Sequence, residues 1–266
     1  KKIIVKKPLK LDCGKTINNF PIAYETYGVL NEKKDNAILV FHALTGDQFV
    51  SGINPLTQKN GWWSYAVGPE KAIDTNKYFV ICCNVIGGCM GSYGPNYKDP
   101  ETNKILSTAF PVITINDMVN AQYNILDFFK IDQLFCVTGG SMGGMQVLQF
   151  VNNFPNKAKI AVPIACTASH SAQNIAFNEV ARQSIITDPD FNKGNYYGEK
   201  IQPRRGLRIA RMLGHITYLS DDVMGSKFGR KLKNKNYLYN FNTEFEIESY
   251  LNYQGDKFAK EFDANT

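Results

Sequence analysis

The amino-acid sequence predicts an α/β protein in which a mostly parallel sheet with helices on both faces is followed by a helical region. Two observations support this prediction. Short apolar runs alternate with helical patterns, and such runs are typical of parallel strands buried on both faces. The runs lie at residues 37–41, 78–83, 134–138 and 160–164. No strand pattern of similar strength follows residue 164, so the chain changes character there.

The first thirty residues predict an antiparallel edge to this sheet. Residues 1–7, KKIIVKK, are basic and are not followed by an apolar stretch or a small-residue cleavage site. We therefore interpret them as a short strand with a charged edge and not as a signal peptide. Residues 23–27 alternate in polarity, and Pro8 and Pro21 interrupt the pattern, as proline does at sheet edges.

Two helices are expected to connect the later strands. Asn116 can cap the first, whose apolar side chains recur at helical spacing. These side chains are Met118, Ala121, Ile125 and Phe129. The second helix is expected to start at Ser141 and to end before Pro155, because proline disfavours helical backbone in the residue before it. This order of strands and helices implies right-handed crossovers within one sheet.

After about residue 169 the sequence predicts helices alone, at residues 171–186, 206–213 and 243–262, separated by Gly, Asn and Asp. This texture predicts a helical lid that is inserted into the sheet domain or appended to it. We therefore divide the chain into residues 1–168, the N-terminal part of a sheet core, and residues 169–266, the lid region.

Composition limits the classes of partner. The chain has 44% hydrophobic and 20% charged residues, and no apolar run is long enough to cross a bilayer. Its formal net charge of +6 comes from residues that we take to be scattered along the chain, so we predict neither a nucleic-acid nor a membrane partner. The six cysteines form no CxxC pair. We therefore expect no metal site and a reducing, cytoplasmic location.

A glycine-rich turn, GGSMGGM at residues 139–145, separates one apolar run from the second helix. It satisfies G-x-S-x-G at a strand-to-helix junction, which is the setting of a nucleophile elbow. In such a strained turn the hydroxyl of Ser141 projects above the sheet, and side chains at positions 139 and 143 would clash. The Met142 amide then lies at a helix N-terminus, which favours developing negative charge. A tight turn with the serine as a helix cap is the alternative.

Acyl transfer also requires a second oxyanion donor, from a loop that follows an earlier strand and lies beside the elbow. The sequence HALTG at residues 42–46 directly follows the 37–41 run and supplies such a loop. Each donor aimed at the oxyanion lowers the barrier by roughly 3 kcal/mol. Without the elbow, this loop would be interpreted as an ordinary turn before a helix.

Several stretches resemble homoserine O-acetyltransferases, and the matches run from about residue 8 to the last residue. They are VFHALTGDQ (40–48), GWW with VGP (61–69), IDTNKYFVICCNVIGGCMGSYGP (73–95), FPVITINDMVNAQ (110–122), GGSMGGMQ (139–146), IAFNEVARQ (175–183) and ARMLGHITYLSDDVMGSKFGR (210–230). The resemblance implies an α/β-hydrolase fold with a helical lid. It also implies a cytoplasmic enzyme of methionine biosynthesis and a homodimer.

The resemblance further implies a ping-pong reaction in which Ser141 takes the acetyl group of acetyl-CoA and passes it to L-homoserine. No permanently bound cofactor is implied, and acetyl-CoA is a co-substrate. The backbone amides of Leu44 and Met142 correspond to the oxyanion hole. Arg211 corresponds to the arginine that holds the homoserine carboxylate, with Tyr218 as a helper two turns later. Without the resemblance, a surface ion pair is the preferred interpretation of Arg211.

The sequence contains no recognisable acid or base for this reaction. Triads of this fold run in the order Ser, Asp or Glu, His, but only His170 and His215 follow the serine, and neither follows a late strand. We therefore expect a C-terminally truncated member of the family, with the last strands of the core absent and with very low activity.

Four other functions remain open at this stage. The same scaffold could use succinyl-CoA as donor, or serine as acceptor, by changing a few pocket residues. It could also be a plain esterase, since water can deacylate an exposed acyl-serine. Finally, a chain without its acid and base could be a non-catalytic binding protein.

Overall fold

In the computed structural model, which describes residues 1–266, the chain consists of two compact units, Lys1–Ser169 and His170–Thr266. The first unit contains every strand. The strands are β1 Lys2–Val5, β2 Leu9–Lys10, β3 Thr16–Ile17, β4 Phe20–Tyr27, β5 Ala37–Phe41, β6 Val67–Gly68, β7 Ile73–Asp74, β8 Phe79–Cys83, β9 Leu134–Gly140 and β10 Ala158–Ile164. The helices are α1 Ile115–Phe129, α2 Met142–Asn153, α3 Ala172–Ile186, α4 Arg204–Thr217, α5 Asp221–Lys227 and α6 Glu246–Glu261.

Six strands form one sheet in the order β1-β4-β8-β5-β9-β10. Strands β8, β5, β9 and β10 are parallel, whereas β4 pairs antiparallel with β8 and with β1. The four apolar runs and the antiparallel start of the chain are therefore confirmed. Because parallel strands end on the same edge, the loops that follow β5, β8 and β9 meet at one end of the sheet.

The two faces of the sheet are covered differently. Helices α1 and α2 pack on one face, where Ile125, Val147 and Phe150 join the buried side chains of the strands. The other face is covered by the irregular segment that carries Val50 and Val67. Apolar strands require a cover on each face, and in this part of the sheet an irregular segment supplies one of the two covers.

Three details differ from the prediction. Helix α1 begins after Thr114, whose side chain forms a reciprocal capping box with Asp117, so Asn116 is not the cap. Strand β4 contains Pro21 and is interior to the sheet, and β1 is the edge strand. Strand β10 is largely exposed on both faces, with Ile160, Val162 and Ile164 at 45%, 41% and 38%, and it is the last strand of the sheet.

The second unit is helical, and its predicted helices are confirmed, with the short α5 in addition. Helix α4 packs closely against both α3 and α6. A β-carbon on Gly206 would lie 2.3 Å from the Ser184 carbonyl oxygen, and one on Gly255 would lie 2.6 Å from Cγ of Arg208. None of the helices in either unit combines the length and apolar character that crossing a membrane requires.

Candidate active site

Ser141 is the residue between β9 and α2, and its backbone is strained. Its φ of 55° and ψ of −121° lie outside the common regions for a residue with a side chain, and such strain is concentrated at functional sites. The Ser141 amide donates to the Ile164 carbonyl at 3.0 Å, which holds the turn against the end of β10. Its side chain is exposed and caps no helical amide. The interpretation of Ser141 as a simple helix cap is therefore wrong.

The two glycines at positions 139 and 143 permit this turn. A β-carbon on Gly139 would lie 2.7 Å from the Gly143 carbonyl carbon, so the predicted clash between these positions is confirmed. A β-carbon on Gly143 would lie 2.1 Å from the Phe41 carbonyl oxygen. These distances are far below van der Waals contact. The elbow therefore packs directly on the last residue of β5.

Two backbone amides near the elbow have no hydrogen-bond acceptor in the chain. The Met142 amide opens α2 and the Leu44 amide belongs to the loop after β5, and neither donates to a backbone or side-chain oxygen. The loop begins beside the elbow, because a β-carbon on Gly143 would be 3.2 Å from the His42 carbonyl carbon. The Leu44 side chain is 56% exposed. These amides are the free donors that an oxyanion hole requires.

His42 opens the same loop and is buried, with 1% of its surface exposed. Its Nδ1 donates to the Ala43 carbonyl oxygen at 2.7 Å, and its Nε2 accepts from the Val85 amide at 3.1 Å. Since one partner can only accept and the other can only donate, the ring is neutral with the proton on Nδ1. Burial lowers the pKa of His42 to about 4. This ring joins the loop after β5 to the loop after β8 and has no nitrogen free to act as a base.

The loop after β8 is organised around Asn84, a residue that the sequence analysis did not single out. Its Oδ1 accepts from the Met90 amide at 3.1 Å, and its Nδ2 lies 3.3 Å from Nε2 of His42. The Asn84 carbonyl accepts the hydroxyl of Ser92 at 2.5 Å. The sequence did contain a signal for this role, because Asn84 is a polar residue that directly follows the buried strand β8.

In the second unit, Arg211 lies on α4 with its guanidinium 4.9 Å from the ring centroid of Phe258. No carboxylate forms a salt bridge with it, and its Nε is buried without a hydrogen-bond partner. The surface ion pair considered from the sequence is therefore absent. Tyr218, at the C-terminal end of the same helix, is 70% exposed.

The two later histidines also belong to the second unit. His170 is exposed and precedes α3. His215 lies on α4, where its Nδ1 is 2.9 Å from the hydroxyl of Tyr250 and its Nε2 is buried without a partner. Burial and the nearby Arg211 and Lys227 lower the pKa of His215. No group of three or more His, Cys, Asp or Glu side chains is arranged to hold a metal ion.

Comparison with known proteins gives matches that agree on one fold and one family. A profile of the α/β-hydrolase fold matches residues 36–265. The homoserine O-acetyltransferase of Pelagibacter ubique is 68% identical over 267 residues, which cover 100% of this chain and 72% of that protein. The homoserine O-acetyltransferase of Methanobrevibacter ruminantium is 55% identical, and the match covers 100% of this chain but 54% of that protein. The chain thus spans between half and three quarters of these relatives.

Solved structures agree with these matches. The crystal structure of homoserine O-acetyltransferase from Bacillus anthracis superposes with a TM-score of 0.87 at 27% identity, covering 100% of this chain and 72% of that one. Esterase E22 superposes with a TM-score of 0.85 at 29% identity, covering 100% of this chain and 74% of that one. The same scaffold therefore occurs in a named transferase and in a named esterase.

Proposed function

Because the chain belongs to the homoserine O-acetyltransferase family of the α/β-hydrolase fold, we propose that Ser141 transfers an acetyl group from acetyl-CoA to L-homoserine. The serine oxygen forms an ester with the acetyl carbon while the carbon–sulfur bond breaks, and the serine proton leaves with the CoA thiol. The γ-hydroxyl of homoserine then takes the acetyl group and returns a proton to the serine. The product is an intermediate of methionine biosynthesis, and no permanently bound cofactor takes part.

The observation that carries this proposal is the exposed, strained Ser141 with two unpaired amides beside it. Strain of this kind has no use in simple binding, whereas an acyl intermediate needs both an accessible hydroxyl and donors for its oxyanion. In the proposal the amides of Leu44 and Met142 are those donors. The non-catalytic binding protein is therefore the weaker interpretation.

We assign the carboxylate of homoserine to Arg211, with Tyr218 as a helper. The guanidinium has no carboxylate partner in the chain and keeps a buried, unpaired Nε, so it is available for a bidentate carboxylate. The guanidinium lies over the ring of Phe258, 4.9 Å from its centroid. Residues 169–266 are the lid in this proposal, residues 1–168 belong to the catalytic core, and the active form is a cytoplasmic homodimer.

We also propose that these 266 residues turn over acetyl-CoA very slowly. General-base catalysis contributes roughly 10²–10⁴-fold, and the chain offers no histidine suited to it. Both nitrogens of His42 are engaged, and His170 is exposed before α3. Nδ1 of His215 is bonded to Tyr250, and its unpaired Nε2 is buried. Acetyl-CoA turnover at a rate typical of the longer relatives would contradict this part of the proposal.

The test uses p-nitrophenyl acetate as the acyl donor, because its leaving group departs without a general acid. After incubation, peptide mass mapping should find acetyl on Ser141, and Ser141→Ala should show none. Adding L-homoserine should speed the loss of that acetyl group and yield O-acetylhomoserine. Failure to find acetyl on Ser141 would contradict the proposed nucleophile.

A second candidate function is ester hydrolysis, which the similarity to esterase E22 favours. In that case water removes the acetyl group, and its loss proceeds at one rate with and without homoserine. The same experiment therefore separates the two functions. Repeating it with L-serine as acceptor, and with acetyl-CoA and succinyl-CoA in competition, separates the remaining alternatives.

A further inference from the structure

Gln146 lies on α2, four residues after Met142, and is fully buried. Its Nε2 donates to the His42 carbonyl oxygen at 3.2 Å and lies 3.4 Å from the Met142 carbonyl oxygen. The first carbonyl belongs to the loop that carries the Leu44 amide. The second belongs to Met142 itself. One side-chain amide therefore connects the two segments that carry the unpaired backbone donors.

The orientation of this amide is set by a second buried glutamine. Gln122 on α1 is 1% exposed, and its Nε2 donates to Oε1 of Gln146 at 2.7 Å. Since Oε1 can only accept, this hydrogen bond turns the two N–H groups of Gln146 toward the two carbonyls. Nε2 of Gln122 also donates to the Met118 carbonyl oxygen at 3.2 Å, which anchors it to α1.

The surroundings of this pair favour apolar side chains. Val147, Phe150 and Ile125 are fully buried on the same two helices. Two amides in such a core are costly unless they are hydrogen-bonded, and the Oε1 of Gln122 remains buried without a partner. An apolar residue would fill position 146 at lower cost. A requirement other than packing therefore explains why this side chain is an amide.

We propose that Gln146 is a positioning residue for the oxyanion hole and that Gln122 acts through it. The inference rests on the proposed function, because it concerns the two amides that would bind the oxyanion. Gln146 holds the loop after β5 at a set distance from the start of α2. Without its donors, the loop is free to move away from the elbow, and the Leu44 amide no longer aims at the same point as the Met142 amide.

The test compares Gln146→Met with Gln149→Met. Gln149 lies one turn further along α2, and its Nε2 donates to Asn153 at 2.7 Å, away from the loop. Acylation of Ser141 by p-nitrophenyl acetate is followed over a range of concentrations. Gln146→Met should lower the maximal acylation rate about tenfold to a hundredfold, since small misplacements of a catalytic group have effects of this size. The half-saturating concentration should stay within about twofold, because ground-state binding is unchanged. Gln149→Met should match the wild type.

Gln122→Met tests the same role independently, because it leaves both N–H donors of Gln146 in the chain and removes only the group that orients them. It should lower the maximal rate less than Gln146→Met does. In the double variant the rate should equal that of Gln146→Met, whereas the unfolding midpoint should not fall further, because no buried amide of the pair is left without its partner. A merely structural pair would lower stability in both and leave the maximal rate unchanged.

The outcomes separate the two proposals. Wild-type maximal rates in folded Gln146→Met, or in Gln122→Met if the former does not fold, would overturn the positioning role and leave Ser141 as nucleophile. Equal acylation of wild type and Ser141→Ala would overturn the proposed function, and the positioning role with it.

Discussion

The closest contact in the elbow makes Gly143→Ala the sharpest perturbation of this site. The added methyl carbon would lie 2.1 Å from the Phe41 carbonyl oxygen and 2.9 Å from its carbonyl carbon. Both atoms are backbone atoms of a buried strand, and Phe41 is paired with Gly139 in the sheet. No flexible side chain can move aside. Either the start of α2 or the end of β5 must shift.

The size of that shift follows from the contact. An ordinary contact between heavy atoms is about 3.5 Å, so the 2.1 Å separation must open by roughly 1.4 Å. Overpacking of this kind destabilises by about 1–3 kcal/mol. Because Ser141 and the Met142 amide lie on the segment that must move, the acylation rate should fall by about a hundredfold, the size expected for a displacement near 1 Å.

Gly140→Ala is the matched control for stability. A β-carbon there would have the Ile164 carbonyl oxygen as its nearest neighbour, at 4.0 Å. We expect its free energy of unfolding to lie within about 0.5 kcal/mol of the wild type. Urea unfolding gives the free energies, and p-nitrophenolate release gives the acylation rates. If Gly143→Ala is as stable and as reactive as Gly140→Ala, the steric account of the elbow is wrong.

Three further predictions follow from buried groups. The folded state keeps His42 neutral down to a pKa of about 4, whereas the unfolded chain binds that proton near pH 6.5. Stability should therefore fall by up to about 3 kcal/mol between pH 6.5 and pH 4, and the stability of His42→Asn should depend less on pH over this window. Asp117, which is fully buried, accepts two backbone amides. Asp117→Ala should cost about 2 kcal/mol in urea unfolding, whereas Asp127→Ala, on the exposed face of the same helix, should cost little. Under native conditions, a thiol reagent should label exposed Cys13, and the pair Cys82 and Cys83 should react only after unfolding.

The parts of the structure that were predictable from sequence are those determined by neighbouring residues. The strand β5 is a continuous apolar run, and all five of its side chains are buried. Helix α2 ends two residues before Pro155, for the steric reason that the sequence analysis gave. The elbow could be predicted because its signal, glycines around a serine at a strand-to-helix junction, lies within one short stretch of sequence.

The parts that were not predictable depend on contacts between distant segments. Thr114 and Asn116 are both residue types that cap helices well. Thr114 is the cap because Asp117 completes the capping box, and the Asp117 carboxylate is itself held by the Asp12 amide. The contact between Gln122 and Gln146 joins two helices, and each residue alone has the pattern of an ordinary helical glutamine.

The environment of His42 explains why a histidine in this loop is not a base. A general base needs a nitrogen that accepts a proton from the nucleophile, but Nε2 of His42 already accepts the Val85 amide. Protonating the ring would replace that acceptor with a donor facing a donor, and burial adds a further cost, so the ring stays neutral near pH 7. A neutral ring can hold two loops together through one donor and one acceptor. The His42 ring and Gln146 therefore both fasten the loop after β5, and their hydrogen bonds are neutral ones that do not titrate near neutral pH.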